Sequence, residues 1–450
     1  MESSPTAVKL NDKKTINGWA MFDWANSAFA LVITTAIFPG YLEAVLDDEF
    51  IFLGFNMKDS AILGFSISFA YIIISLSLPL LTGIADYGGK KMPFMKFFTR
   101  LGAIACLGLF FFVSQDTMWI GLAGFVLGVI GFAGGQVFYN SYLPDIVTEE
   151  HFDRVSAKGF AYGYVGSVIL LIFNLVMITF PHTFGLDRLI GPESIFGEDP
   201  GALAARLSFV MVGIWWIGFS QITFNRMPIT ASKKLSSDIL KKGYEEINKV
   251  WNAVKTQVNT KRFLIAFFFY SAGAQTAIFL ASIFAIKVLG FETTELIIVV
   301  LILQIVGIGG AYLFAKLSER YGNRNIMILI LMIWAAICII AFFVQGKIFF
   351  YTLAGFVGLV MGGVQSLSRS TYSKLIPEGT KDTASYFSFF DVLEKVAIAI
   401  GTLTFSFLDQ QSGMRVSILA LAVFFIIGIL ILMTVNSDRL LPKSFEKYND

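Results

Sequence analysis

Of 450 residues, 56% are hydrophobic and 15% charged, where a soluble domain has about 25% charged, and the mean hydropathy is +0.71. That balance excludes a soluble enzyme with a large core and describes a chain that crosses a bilayer many times. A net charge of +2 offers nothing to a nucleic acid. His151 and His182 stand in separate loops, and Cys106 and Cys338 lie inside apolar runs, so no metal, disulfide framework or cofactor is expected.

The first residues, MESSPTAVKLNDKKTING, are polar and lack an apolar core with a small-residue cleavage site. The first span is therefore expected to direct its own insertion. Apolar runs of spanning length follow at 19–45, 60–84, 95–114, 118–142, 159–180 and 205–225. A second set occupies 262–288, 294–316, 325–344, 348–373, 384–408 and 414–436. The expected fold is an all-α membrane protein of twelve transmembrane helices in two six-helix, pseudo-symmetric halves. Its parts are an N-terminal bundle over 1–225, a charged linker over 226–261 and a C-terminal bundle over 262–450.

Within the linker, Leu240, Tyr244, Ile247, Trp251, Val254 and Val258 recur at helical spacing. Lys241, Lys242, Glu245, Glu246, Lys249 and Lys255 take the other face, which predicts an amphipathic helix on the membrane surface. The loop over 181–204 holds three prolines and is expected to form an irregular outer cap. Lysine and arginine set the orientation: 27 fall on the side of the termini and six on the other, with Lys395 in the membrane. Both termini are accordingly expected in the cytoplasm.

The eleventh span carries Asp391, Glu394 and Lys395, steps of three and four residues that share a helix face. With entry near Ala384, Lys395 sits ~16 Å deep, close to the midplane. Charges there cannot face lipid, so the surrounding helices must enclose them in a polar cavity, the form of a transporter. Asp391 is expected to neutralise Lys395, four residues on, which leaves Glu394 as the candidate proton carrier. The bland alternative is that the three merely lock two helices together.

The halves repeat one another. Asp86, Gly89, Lys90 and Lys91 follow span 2, and Glu319, Arg320, Gly322 and Arg324 follow span 8 at an offset of 233. Pro144 and Pro377, which end spans 4 and 10, share that offset. Twelve spans in two repeats with D-x-x-G-K-K and a degenerate copy resemble the major facilitator superfamily. The resemblance implies that these loops are a cytoplasmic latch, the acid meeting a helix start in the other half and the bases pairing with nearby carboxylates. Thr82 stands where the family usually has a glycine, with Gly83 beside it.

A narrower resemblance rests on Asp23-Trp24-Ala25-Asn26-Ser27 in span 1 and Gln365-Ser366-Leu367-Ser368-Arg369 ending span 10. The segments ending span 4 (Gly135 to Pro144) and opening span 5 (Val155 to Tyr164) carry it further. Together they are similar to the vacuole-effluxer-like, autophagy-related branch, nearly throughout the chain. The fungal members' link to amino-acid efflux implies a small polar or zwitterionic solute, and the bacterial members imply an inner membrane. The polar residues then fall into two sets. Asp23 and Asn26 in span 1, Gln275 and Tyr270 in span 7 and Gln304 in span 8 join Asp391, Glu394 and Lys395 as candidates for substrate or coupling. Gln136 and Asn140 in span 4 and Gln365 and Arg369 in span 10 suit a cytoplasmic gate, unless Arg369 snorkels to the headgroups.

The expected function is secondary transport by alternating access, with a small-molecule substrate, the proton as candidate coupling ion and a monomer in the bilayer. Efflux of lipophilic or cationic compounds and a transporter-like sensor are the alternatives. A sensor of this kind carries a long soluble extension, and only fourteen residues follow Asn436. A membrane enzyme would need a nucleophile and base in a polar setting, and neither HExxH nor GxSxG occurs.

Overall fold

The computed structural model describes residues 9–47, 49–52, 55–191, 199–228, 238–291, 293–436 and 440. Among them, ten helices are long and apolar enough to cross a membrane. They are α1 (Lys13–Val45), α2 (Asp59–Gly88, its spanning part Ile62–Gly88), α3 (Lys91–Gly108), α4 (Met118–Ser141), α5 (Phe152–Thr179) and α6 (Pro200–Arg226). In the second half they are α8 (Thr293–Tyr321), α9 (Asn323–Phe343), α10 (Lys347–Leu375) and α12 (Met414–Leu432). Two further long helices, α7 (Val258–Leu289) and α11 (Thr383–Ser412), occupy the places of the seventh and eleventh expected spans. The apolar run of α11 is interrupted by Asp391, Glu394 and Lys395.

The fold is the all-α one the hydropathy requires, with one addition. Strands β1 (Glu49–Phe52) and β2 (Phe55–Lys58) form an antiparallel hairpin between α1 and α2, pairing Glu49 with Lys58 and Phe52 with Phe55. The middle of α1, Phe29–Ile37, is wound as a π-helix, a form that often marks functional segments. The loop after α5 turns through short 3₁₀ segments at Pro181–Phe184 and Leu186–Arg188, and its stretch 192–198 lies outside the described residues.

The halves meet through two equivalent sets of helices: α5 packs on α8 and α10, and α11 packs on α2 and α4. Inside the second half, glycine brings α8 and α10 to backbone contact. A Cβ on Gly362 would stand 2.1 Å from the Gly307 carbonyl oxygen, and one on Gly310 2.0 Å from that of Leu359. In the first half, a Cβ on Gly131 of α4 would come within 2.6 Å of Gly102 in α3. The glycine stripes of spans 4 and 10 are therefore packing surfaces, as small residues in membrane helices generally are.

The linker helix, Ile239–Thr256, lies where its periodicity places it. Its inner face is Gly243, Val250 and Val254, while Leu240, Tyr244 and Trp251 remain exposed, as an apolar stripe turned to lipid would be. Gly243 sits against α2 so closely that a Cβ on Gly83 would meet its carbonyl oxygen at 2.3 Å. The glycine displaced by one from the usual latch position thus serves the linker contact. Lys249 bridges Glu246 (2.8 Å) and Asp382 at the start of α11 (2.7 Å), and these two carboxylates, Asp382 foremost, hold its ammonium above the usual lysine range.

Candidate functional site

Three sets of polar contacts join the halves at the face that carries the chain ends. The first is made by the acid–glycine–base loop after α2. Asp86, in the last turn of α2, accepts hydrogen bonds from the backbone N–H of Ser385 (2.7 Å) and Ala384 (3.3 Å) in the first turn of α11. Those N–H groups have no partner within their own helix, and the helix dipole adds its positive end to the attraction. Gly89, at φ 63°, ends α2 in a left-handed turn and brings Lys91 back beneath it. Lys91 pairs with Asp145 at 2.7 Å and donates to the Thr383 hydroxyl. The Thr383 hydroxyl in turn donates to the Ser141 carbonyl at 3.0 Å.

The degenerate copy behaves differently. Gly322 repeats the left-handed turn at φ 80°, and Glu319 reaches across to Arg154 of α5 at 3.1 Å, on the surface. Among the described residues Arg324 meets no carboxylate. It donates to the Val435 carbonyl at 3.1 Å and ties down the chain after α12, while the Arg320 guanidinium lies over the Tyr321 ring. Among the described residues the expected pairing of bases with carboxylates is thus formed by Lys91 and not by Arg324.

A buried acid takes that place. Asp153, in the first turn of α5 and 2% exposed, accepts from Lys374 of α10 (2.7 Å), Asn323 of α9 (2.7 Å) and Ser318 of α8 (2.9 Å). Lys374 also donates to the Asn323 side-chain oxygen at 2.7 Å. Asp153 and Lys374 escape a reading of the sequence, because an acid after Glu149-Glu150-His151 looks like a solvated helix start. The repeat itself held the signal. If the first loop meets the start of α11 near residue 384, the offset of 233 sends the second to the start of α5.

The third set is centred on Arg369, which is 2% exposed and turned inward, not toward headgroups. Its guanidinium donates to Asp23 (3.2 Å), Asn140 (3.3 Å), the Ser156 hydroxyl (2.9 Å) and the Ser156 carbonyl (2.7 Å). The rings of Trp19 and Phe160 lie 4.7 Å and 4.2 Å from it. Asp23 also accepts from the Tyr139 hydroxyl at 2.7 Å, and Asn26 donates to Gln136 at 2.8 Å. Asp23 and Asn26, expected with the substrate group, therefore stand in contact with Gln136, Tyr139 and Arg369 instead. Gly159 makes room for them: a Cβ there would come within 2.7 Å of Asp23 and 2.8 Å of Arg369. Gln365 accepts from Tyr164 of α5 at 2.6 Å, another tie between halves, and the Tyr270 and Ser368 hydroxyls share a bond of 2.8 Å within the second half.

Above this layer lies the charged group of α11. Lys395 pairs with Glu394 at 2.6 Å, and Gln275 of α7 donates to the other oxygen of Glu394 at 3.2 Å. This reverses the expected pairing. Adjacent residues do not face each other on a helix, but the long lysine side chain turns back over the Tyr71 ring, 5.5 Å away, and reaches Glu394. Asp391 is left 4% exposed, with Oδ2 buried and unbonded among the described residues. It faces Ile74, Ser75 and Leu78 of α2 and Ala133 of α4. Gln304 is separate from this group, and its side-chain oxygen is buried without a partner among the described residues. No group of metal-ligating side chains occurs among the described residues.

The chain is similar to known proteins along nearly its whole length. A family model described as "Vacuole effluxer Atg22 like" matches residues 11–443. An uncharacterised MFS-type transporter of Bacillus subtilis, YxiO, is 29% identical over 426 residues, 94% of this chain and 95% of that protein. Autophagy-related protein 22-2 of Neosartorya fischeri is 22% identical over 477 residues, 86% of this chain and 76% of that protein. Among solved structures, the major facilitator superfamily transporter FucP in its outward conformation is similar with a TM-score of 0.68 at 16% identity, over 94% of this chain and 98% of that one. The proton:xylose symporter XylE matches with a TM-score of 0.65 at 13% identity, over 94% of each chain.

Proposed function

As the chain belongs to the vacuole effluxer Atg22-like family of major facilitator superfamily transporters, we propose that it carries a small polar or zwitterionic solute by alternating access, driven by protons. The halves over 1–225 and 262–450 rock about the midplane, with 226–261 as the strap between them. The observation that carries the reading is the Glu394–Lys395 pair with Gln275 beside it. A carboxylate and an ammonium side by side at membrane depth offer one partner to each end of a zwitterion, and burial there makes both interactions strong. The ties made by Asp86, Asp153 and Arg369 belong to a state closed toward the cytoplasm, the side assigned by the distribution of lysine and arginine.

The deciding experiment is uptake by the purified protein in liposomes, offered a panel of amino acids and peptides with and without an imposed pH gradient. Accumulation of a zwitterion that depends on the gradient supports the reading. Movement of lipophilic cations alone replaces the substrate class, and no movement of any compound removes it.

Two expected results bear on the mechanism. Asp86→Ala removes the acceptor at the start of α11 and slows transport, while equilibrium binding of the transported solute stays within a few-fold. A large loss of binding at normal speed would take Asp86 out of the latch. For orientation, a cysteine at Tyr244 should be labelled only from inside and one at Phe184 from outside, both positions being exposed. The opposite pattern inverts the topology.

A further inference from the structure

We propose that Asp391, and not Glu394, carries the proton in this closed conformation, and that Lys395 passes from one carboxylate to the other during the cycle. The inference rests on the transport reading above and assigns the coupling group within that site.

Two carboxylates and one ammonium stand together on α11, so one positive charge is missing. The contacts show where it is missing. Both oxygens of Glu394 are engaged, one by Lys395 at 2.6 Å and one by Gln275 at 3.2 Å. Asp391 holds Oδ2 buried and unbonded among the described residues. Among the described residues no other cation is free to serve it. Of the groups that face it, Arg369 of α10 is held by Asp23, Asn140 and Ser156, and the Tyr372 hydroxyl donates to the Tyr386 carbonyl. On α7, Tyr270 is bonded to Ser368 and Gln275 to Glu394. On α2, Tyr71 lies beside Lys395. The linker helix contributes Lys249, which is taken by Glu246 and Asp382, and α12 has only Arg415 at its far end, bonded to the Phe342 carbonyl. The α4 contact is Ala133.

The space around Asp391 identifies the missing charge. The pocket formed by Ile74, Ser75, Leu78, Ala133, Asp391, Val392 and Lys395 leaves no volume for a water molecule. A hydrated sodium ion or a substrate ammonium does not fit it, a lining of Ile74, Leu78, Ala133 and Val392 beside the Lys395 ammonium offers a bare ion few oxygen ligands, and a proton needs neither room nor ligands. An ionised carboxylate buried there without a partner is costly. Pro79 has no N–H for the Ser75 carbonyl, four residues before it, which leaves a carbonyl without its helical partner on a residue that lines the same pocket.

The cycle follows from the spacing. Asp391 and Lys395 are four apart on one helix face, so a side-chain rotation alone brings them together. When a solute's ammonium takes Glu394, or α2 and α4 withdraw as the gate opens, Lys395 turns to Asp391. The O–H bond of Asp391 breaks, its proton passes to water in the opened cavity, and the new ion pair replaces it.

Infrared spectroscopy of the full chain in liposomes tests this without any substrate. At neutral pH the protein should show the carbonyl stretch of a buried carboxylic acid. The band should shift when aspartate is labelled with the heavy carbon isotope at its side-chain carboxyl, stay in place when glutamate is labelled, and be missing from Asp391→Asn. A band that follows the glutamate label, that survives Asp391→Asn, or that is absent from the parent protein overturns the assignment. Labelling changes no atom's chemistry, so its outcome does not depend on a variant that folds. The two readings fail separately: loss of all uptake removes the transport proposal while leaving the band, and a glutamate band removes Asp391 while leaving uptake.

Discussion

Arg369→Ala should release the gate and cost about 3–5 kcal/mol, the usual penalty for removing one partner of a buried ion pair. Four hydrogen bonds are lost at once, to Asp23, Asn140 and both oxygens of Ser156, and Asp23 stays 3% exposed without its counter-charge. Since Arg369 and Asp23 belong to different halves, most of that cost falls on the closed state. The thermal midpoint should drop, and a cysteine placed at Ser366 should become reactive from the gate side. Asp23→Asn in the same chain should recover part of the loss, because it removes the orphaned charge. Arg369→Lys should fall between the two, since a point charge cannot reach Asp23 and the Ser156 carbonyl together. If Arg369→Ala melts like the parent and Ser366→Cys stays protected, the pair does not hold the gate.

Lys395→Ala should be of similar size, about 3–5 kcal/mol, because it leaves Glu394 as an uncompensated carboxylate in the membrane. Its contacts decide which second change repairs it. Lys395 is bonded to Glu394, so Glu394→Gln with Lys395→Ala should restore most of the stability. Asp391→Asn with Lys395→Ala should restore little, since Asp391 is not the partner lost. Thermal unfolding of the three proteins in detergent checks this. Equal rescue by both second changes would mean that the lysine serves the two carboxylates alike.

Much of the architecture is legible before any folding is considered. Ten of the spans declare themselves through local hydropathy among the described residues, and the two acid–glycine–base loops declare the repeat. The family resemblance implies only that the acid of the first loop meets a helix start in the other half; that the helix is α11 comes from the structure. No motif around either residue points to the ties made by Asp153 and Lys374. Each looks ordinary alone, an acid in a polar helix start and one more lysine on the basic face. They become a pair only when α5 and α10 are brought together across the interface, 221 residues apart in the chain.

The sequence by itself determines which stretches enter the bilayer, because every residue's transfer cost is its own and the costs add along a helix. It also determines that three charges share the face of α11, because helical spacing alone sets that. Only the tertiary structure decides which carboxylate Lys395 takes. Spacing favours Asp391, but α2 and α4 close over that side with Ile74, Leu78 and Ala133, while α7 presents Gln275 to Glu394 and Tyr71 lies beside the lysine. The neighbours that choose between two partners a few ångströms apart come from distant parts of the chain, and no local pattern encodes their arrival.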